Sequence, residues 1–204
     1  MLQGAKKSRI QVDDRLPITK SILFRLVLAL NNTCAISYYQ SLYKAMFVVA
    51  FYGLLRVGEI TKKINDKDSH CLQYSDIAMQ DQSFSINFRS HKYSIPGKVS
   101  RIFIHKLVHD PACTLFHLQN YFRMRGKDGG NLFQHPIGTP ISRSQFTEIL
   151  NTALCFIGLS PSLYKGHSFR IGACTWHMEQ GCSDSQLCNM GRWRSNAFLK
   201  YIRP

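Results

Sequence analysis

Two arginines, a histidine and a tyrosine stand in three short runs that could together cut a phosphodiester. The runs are Phe51-Tyr-Gly-Leu-Leu-Arg-Val-Gly-Glu-Ile, Lys165-Gly-His-Ser-Phe-Arg-Ile-Gly-Ala-Cys-Thr and Met190-Gly-Arg-Trp-Arg-Ser-Asn-Ala-Phe-Leu-Lys-Tyr-Ile-Arg-Pro. His167 and Arg170 are three positions apart, so a helix would place them on one face. Trp193 follows Arg170 by 23 positions and Tyr201 follows Trp193 by eight. A phenol is a competent nucleophile toward phosphorus, and Arg56 and Arg170 supply fixed charge for the oxygens that gain negative charge during attack. Each residue also has an ordinary alternative. Arg56 suits the C-terminal end of a helix, where the macrodipole favours a cation. His167 suits a helix start, and Trp193 and Tyr201 suit a core.

The elements that would position these groups follow from hydrophobic spacing. A helix is predicted from Pro17 to about residue 31, with Ile22, Leu23, Leu26, Val27 and Leu30 on one face. A second, from Ser37 to Leu54, is apolar nearly all round and should be buried at the centre, with Arg56 at its end. Residues 62–73 read as an exposed loop. Ser83-Phe-Ser-Ile-Asn-Phe-Arg alternates as a strand does, with Phe84, Ile86 and Phe88 on one side, and residues 99–104 alternate likewise. The intervening Ser90-His-Lys-Tyr-Ser-Ile-Pro-Gly-Lys reads as a hairpin loop. Further helices are predicted over 113–125, over 142–156 with Ser142 as N-cap, and over 167–180 with Gly181 as stop. A short helix capped by Ser183 or Asp184 and ending at Gly191, and a basic helical segment from about Asn196, complete the chain. The fold class is mainly α with a small antiparallel β-sheet, either a hairpin or three strands.

Composition narrows the partner. The 204 residues carry 26 Lys and Arg against 12 Asp and Glu, a net charge of +14, and 45% hydrophobic residues. That is a globular composition with a strong preference for a polyanion, of which nucleic acid is the commonest; an acidic membrane surface is the alternative. The longest apolar stretch, Ala45 to Leu55, is too short to span a bilayer, and no signal-peptide core follows Met1. A soluble intracellular protein is expected, with no membrane partner. The seven cysteines form no CxxC pair and read as reduced thiols. His105, His109, Cys113 and His117 recur every four residues, but Pro111 interrupts any helix that would carry them all, so no metal is expected.

The three runs, taken in order, resemble the catalytic domain of tyrosine recombinases, the phage-integrase type. Gly53-Leu-Leu-Arg-Val-Gly-Glu is similar to that family's first arginine box, His167-x-x-Arg170 to its second, Gly191-Arg-Trp193 to its third, and Tyr201 to its nucleophile. The wording Gly-Arg-Trp-Arg-Ser-x-Ala-Phe-x-x-Tyr-Ile-Arg looks most like recombinases of eukaryotic mobile elements, of Crypton or DIRS type. The resemblance covers roughly Arg15 to Pro204. It implies residues 1–15 as linker or tail and 16–204 as the catalytic domain, with the N-terminal DNA-clamp domain of the family absent. The sequence departs from the pattern in three places. The interval from Trp193 to Tyr201 is eight where nine is usual, Ile171 stands where a histidine often follows the second-box arginine, and a longer loop separates Arg56 from the hairpin.

The resemblance implies DNA breaking and rejoining through a 3′-phosphotyrosyl intermediate formed by Tyr201. Arg56 and Arg170 would clamp the scissile phosphate, since a planar guanidinium grips it at two points. His167 would support proton transfer, and Trp193 would pack and donate an indole N–H. A hairpin lysine would protonate the leaving 5′-oxygen; Lys92 fits best and Lys98 is the alternative. Glu59 would buttress Arg56 or His167. Double-stranded DNA is the expected partner, with other protomers assembled on it, and no small-molecule cofactor. In a eukaryote the location would be nuclear. Two other readings stand beside this enzyme: a domesticated, catalytically silent DNA-binding module from a mobile element, and, more remotely, a type IB topoisomerase-like strand nicker.

Overall fold

The computed structural model describes residues 14–62, 71–89, 100–193 and 195–203. Its centre is set by the apolar run. Helix α2 (Ser37–Tyr52) buries ten residues, among them Phe47, Val48, Val49, Ala50 and Phe51, so it can be covered on every side. Helices α1 (Lys20–Thr33), α4 (Thr114–Arg125) and α6 (Gly166–Glu179) pack against it. Helix α5 (Arg143–Phe156) lies on α1. Of the stripe predicted for α1, Leu23, Leu26, Val27 and Leu30 are buried and Ile22 packs half-buried against the core. The helix begins three residues later than the sequence suggested, because the Thr19 hydroxyl accepts from the Ile22 N–H and caps it.

The sheet has three antiparallel strands in the order β1 (Ile77–Met79), β2 (Ser83–Phe88), β3 (Ser100–His105). Phe84 pairs with Ile104 and Ile86 with Ile102. Phe84, Ile86, Phe88, Ile102 and Ile104 are all buried; β3 alternates as a strand with one face on the core does, whereas in β2 Ser83 and Ser85 are buried as well. Of the four residues of the metal-like spacing, His105 ends β3, His109 lies in the following turn with φ +60°, Cys113 precedes α4 and His117 lies within it.

Two local decisions position the site. Helix α2 stops at Tyr52, two residues short of expectation. Gly53 follows it, and Leu54 takes a left-handed backbone at φ +48°. That conformation costs a non-glycine residue about 1–2 kcal/mol. Arg56 therefore does not end α2; it is the N-cap of a separate one-turn helix α3 (Val57–Ile60). Second, the chain before α1 runs directly over α6. The Ile18 N–H donates to the Ser168 carbonyl at 3.0 Å, and a Cβ at Gly172 would lie 1.8 Å from the Ile18 carbonyl oxygen. Only glycine permits that approach. Helix α7 (Asp184–Gly191), capped by the Ser183 hydroxyl, and a terminal 3₁₀ segment (Asn196–Tyr201) pack on α6.

Candidate phosphate site

Arg170 anchors the site from the first half of α6. It is the largest fully buried side chain among the described residues. Its two terminal nitrogens donate to the carbonyls of Leu54 and Gly191, one at the strained turn after α2 and the other at the end of α7. The left-handed Leu54 thus aims its carbonyl at a buried cation, and the same oxygen also accepts from Arg192 at 3.3 Å. The Trp193 ring centroid lies 4.2 Å from the Arg170 guanidinium carbon and that of Tyr201 lies 5.5 Å from it, both within cation–π range. Burial, then the charges of Arg56 and Arg192, pushes the Arg170 pKa down to about 9, still protonated at neutral pH. Its Nε has no partner.

Tyr201 stands between the other aromatic groups. Its ring centroid is 4.8 Å from that of His167, one turn before Arg170 on α6, and 5.1 Å from that of Trp193. The 3₁₀ segment is tied to α6 by Phe198, which is fully buried, and by the Cys174 thiol, which donates to the Phe198 carbonyl at 3.7 Å. The Thr175 hydroxyl is 3.5 Å from the Tyr201 carbonyl and accepts from the Arg203 N–H at 3.1 Å. A Cβ on Gly191 would fall 1.9 Å from the Trp193 ring, so the absence of a side chain there makes the indole's seat.

Glu59 connects the remaining cations. One carboxylate oxygen accepts from the Arg56 guanidinium at 3.3 Å; the other accepts from the Arg56 backbone N–H at 2.7 Å and from Arg192 at 2.8 Å. Arg56 is 31% exposed in its side chain and Arg192 1%. Burial lowers the Arg192 pKa, Glu59 raises it again, and Arg56 lowers it. Arg56 and Arg192 thus share one carboxylate, whose charge also acts on Arg170. The accessible cation of the group is Arg56; Trp193 and Tyr201 cover Arg170.

Arg56, Glu59, His167, Arg170, Trp193 and Tyr201, drawn from four separate elements, are therefore neighbours. Lys92 and Lys98 lie outside the described residues. Glu59 contacts Arg56, one of its two expected partners. Arg192 was not singled out from the sequence as a site residue. One signal was available: Arg192, and not Trp193, stands nine positions before Tyr201. The structure turns Arg192 inward to Glu59 and leaves Trp193 over Arg170. Among the described residues no group of three or more His, Cys, Asp and Glu side chains is placed to hold a metal ion.

No protein-family model matches the sequence, and no curated protein does. Solved structures do. The XerA recombinase aligns with a TM-score of 0.68 at 18% identity, covering 93% of this chain and 60% of that one. The XerH site-specific recombinase bound to its difH substrate before cleavage gives 0.64 at 13%, covering 92% and 50%. The Tn1549 transposon integrase in complex with circular intermediate DNA gives 0.55 at 13%, covering 93% and 61%. The chain has the fold of tyrosine-recombinase catalytic domains and spans between half and about three-fifths of the length of these structures.

Proposed function

We propose that the chain binds duplex DNA and breaks and rejoins one strand through Tyr201. The observation that supports this most is the convergence of a tyrosine, a histidine and a trio of arginines from distant segments on one spot, within a fold shared with recombinases. Arg56 and Arg170 would hold the non-bridging oxygens of the scissile phosphate. The Tyr201 oxygen would bond to phosphorus as the bond from phosphorus to the 5′-oxygen breaks. The phenolic proton would pass toward His167. Lys92 would give the leaving 5′-oxygen its proton, with Lys98 as the alternative donor. The ester keeps the bond energy, so attack by a 5′-hydroxyl reverses the step without ATP. Because Trp193 and Tyr201 cover Arg170, engagement of the phosphate by Arg170 requires these two rings to shift. The eukaryotic mobile-element affinity suggested by the third run is part of the same reading.

The test is a nicked suicide duplex that traps the covalent adduct. The wild-type chain should form it. Tyr201→Phe should form none while binding the duplex within about twofold of wild type, since only an oxygen is lost. An adduct on Tyr201→Phe would assign the nucleophile elsewhere. A second reading, a DNA-binding module that does not cleave, is favoured by the sealing of Arg170, whose two terminal nitrogens are already engaged by carbonyls. Duplex binding without an adduct on any substrate would select it.

A further inference from the structure

Arg192 is an expensive residue for its place. It caps α7 with a left-handed backbone, φ 54° and ψ 45°, which a glycine would adopt without strain. It buries a guanidinium whose Nε has no partner. Its packing over the Phe88 ring, 4.0 Å from the centroid, could be supplied by an apolar side chain without desolvating a charge. What an apolar side chain could not supply is the 2.8 Å bond to Glu59, the bonds to the Met190 and Leu54 carbonyls at 2.7 and 3.3 Å, and the charge itself.

That bond bears on Arg56. Glu59 is the one carboxylate that acts on both Arg170 and Arg192. Arg56 and Arg192 contact it and Arg170 lies within its field; the three guanidinium groups and the carboxylate carry a net charge of +2, and without Arg192 they would carry +1. Arg56 meets Glu59 through a single terminal nitrogen, at 3.3 Å. The other oxygen is already taken by Arg192 and by the Arg56 backbone N–H. A carboxylate deprived of Arg192 would draw the exposed Arg56 guanidinium into a two-point contact, the preferred geometry of that pair. The donors a phosphate needs would then be spent on Glu59.

We propose that Arg192 is a positioning residue for the phosphate site: by occupying Glu59, it leaves Arg56 free to grip a phosphate and raises the positive charge of the cluster. The proposal rests on the reading of this cluster as a phosphate site. It also links the β2 strand end, through Phe88, to the end of α7 and the first arginine, so that three elements fix one donor.

Charge arithmetic gives a test that a structural plug would fail. Arg192→Met lowers the cluster to +1, and adding Glu59→Gln returns it to +2 while the amide oxygen can still accept from the Arg56 N–H. With the whole chain, binding of inorganic phosphate and of a short duplex would be measured at low salt, alongside thermal unfolding to confirm folding. Arg192→Met should weaken both ligands by about tenfold, the loss of one charge-assisted hydrogen bond at the phosphate. The double variant should recover to within about threefold of wild type, on the same scale. Arg192→Lys, which keeps the charge, should stay within about threefold as well and carries the test if Arg192→Met does not fold. A double variant as weak as Arg192→Met, or Arg192→Met that binds as wild type, overturns the proposal. So does a folded Arg192→Lys that loses tenfold or more. Failure of the wild type to bind phosphate or duplex removes the phosphate site and this inference together. Wild type that binds but forms no adduct removes only strand cleavage, and the rescue still decides the role of Arg192.

Discussion

A guanidinium with no access to solvent needs partners for its charge. Arg170 finds them in two carbonyls and two aromatic faces instead of a carboxylate. Partial charges of this kind hold the cation without neutralising it, so its field remains available to an anion. The seat depends on Gly191, which supplies both a carbonyl to Arg170 and room for the Trp193 ring. Gly191→Ala would drive a methyl group into the indole and push it off the guanidinium. We expect a loss of about 1–3 kcal/mol, the usual cost of overpacking, seen as a fall in Tm of about 2–4 °C per kcal/mol, with weaker adduct formation. An unchanged Tm would mean that the indole is not held against Gly191. The residue types at this spot were legible in the sequence because Arg, His and Tyr at ordered intervals have few joint uses. The sealing of Arg170 was not, since its partners Leu54 and Gly191 are 116 and 21 positions away and contribute only backbone. Arg192 was passed over because the role of the third run was given to its neighbour Trp193, and nothing local shows that Glu59 faces Arg192.

Among the elements, helix identity followed the hydrophobic period well, and the ends were set by features that period does not encode. Ser142 and Ser183 cap α5 and α7 as their hydroxyls suggested. The break at Gly53 and Leu54 was missed because a leucine in a left-handed turn is disfavoured locally; two arginines meeting its carbonyl offset the cost. Helix packing also buries two histidines that charge poorly. His117 on α4 and His177 on α6 are both held below the ordinary histidine pKa of 6.5, first by burial. The bond that the His117 ring N–H donates to the Pro111 carbonyl opposes the shift only in part. The unfolded chain therefore takes up these protons before the folded one does. Their contribution to stability is complete above about pH 6.5 and is lost as pH falls through the folded values. Urea midpoints should drop between pH 7.5 and pH 5.5, and the drop should shrink in His177→Gln. A pH dependence that His117→Gln and His177→Gln together leave untouched would show that other groups titrate.

For the molecule as a whole, an excess of +14 works against compaction, and a polyanion relieves it by taking up the charge. None of the described helices is long and apolar enough to cross a membrane. If the partner is duplex DNA, affinity comes mainly from released counterions, and the logarithm of the binding constant should fall linearly with the logarithm of salt concentration, by about 0.9 per phosphate contacted. About six contacts would weaken binding by about 10³-fold between 50 and 200 mM salt. Arg56→Gln removes one accessible cation, so it should lower that slope by about 0.9 and weaken every duplex alike, because a phosphate contact carries no base information. Tyr201→Phe removes no charge and should leave the slope where it was. The pair of variants thus separates binding from chemistry on one titration. A wild-type slope near zero would mean that the excess charge is not spent on phosphates, and both DNA readings would then be wrong together.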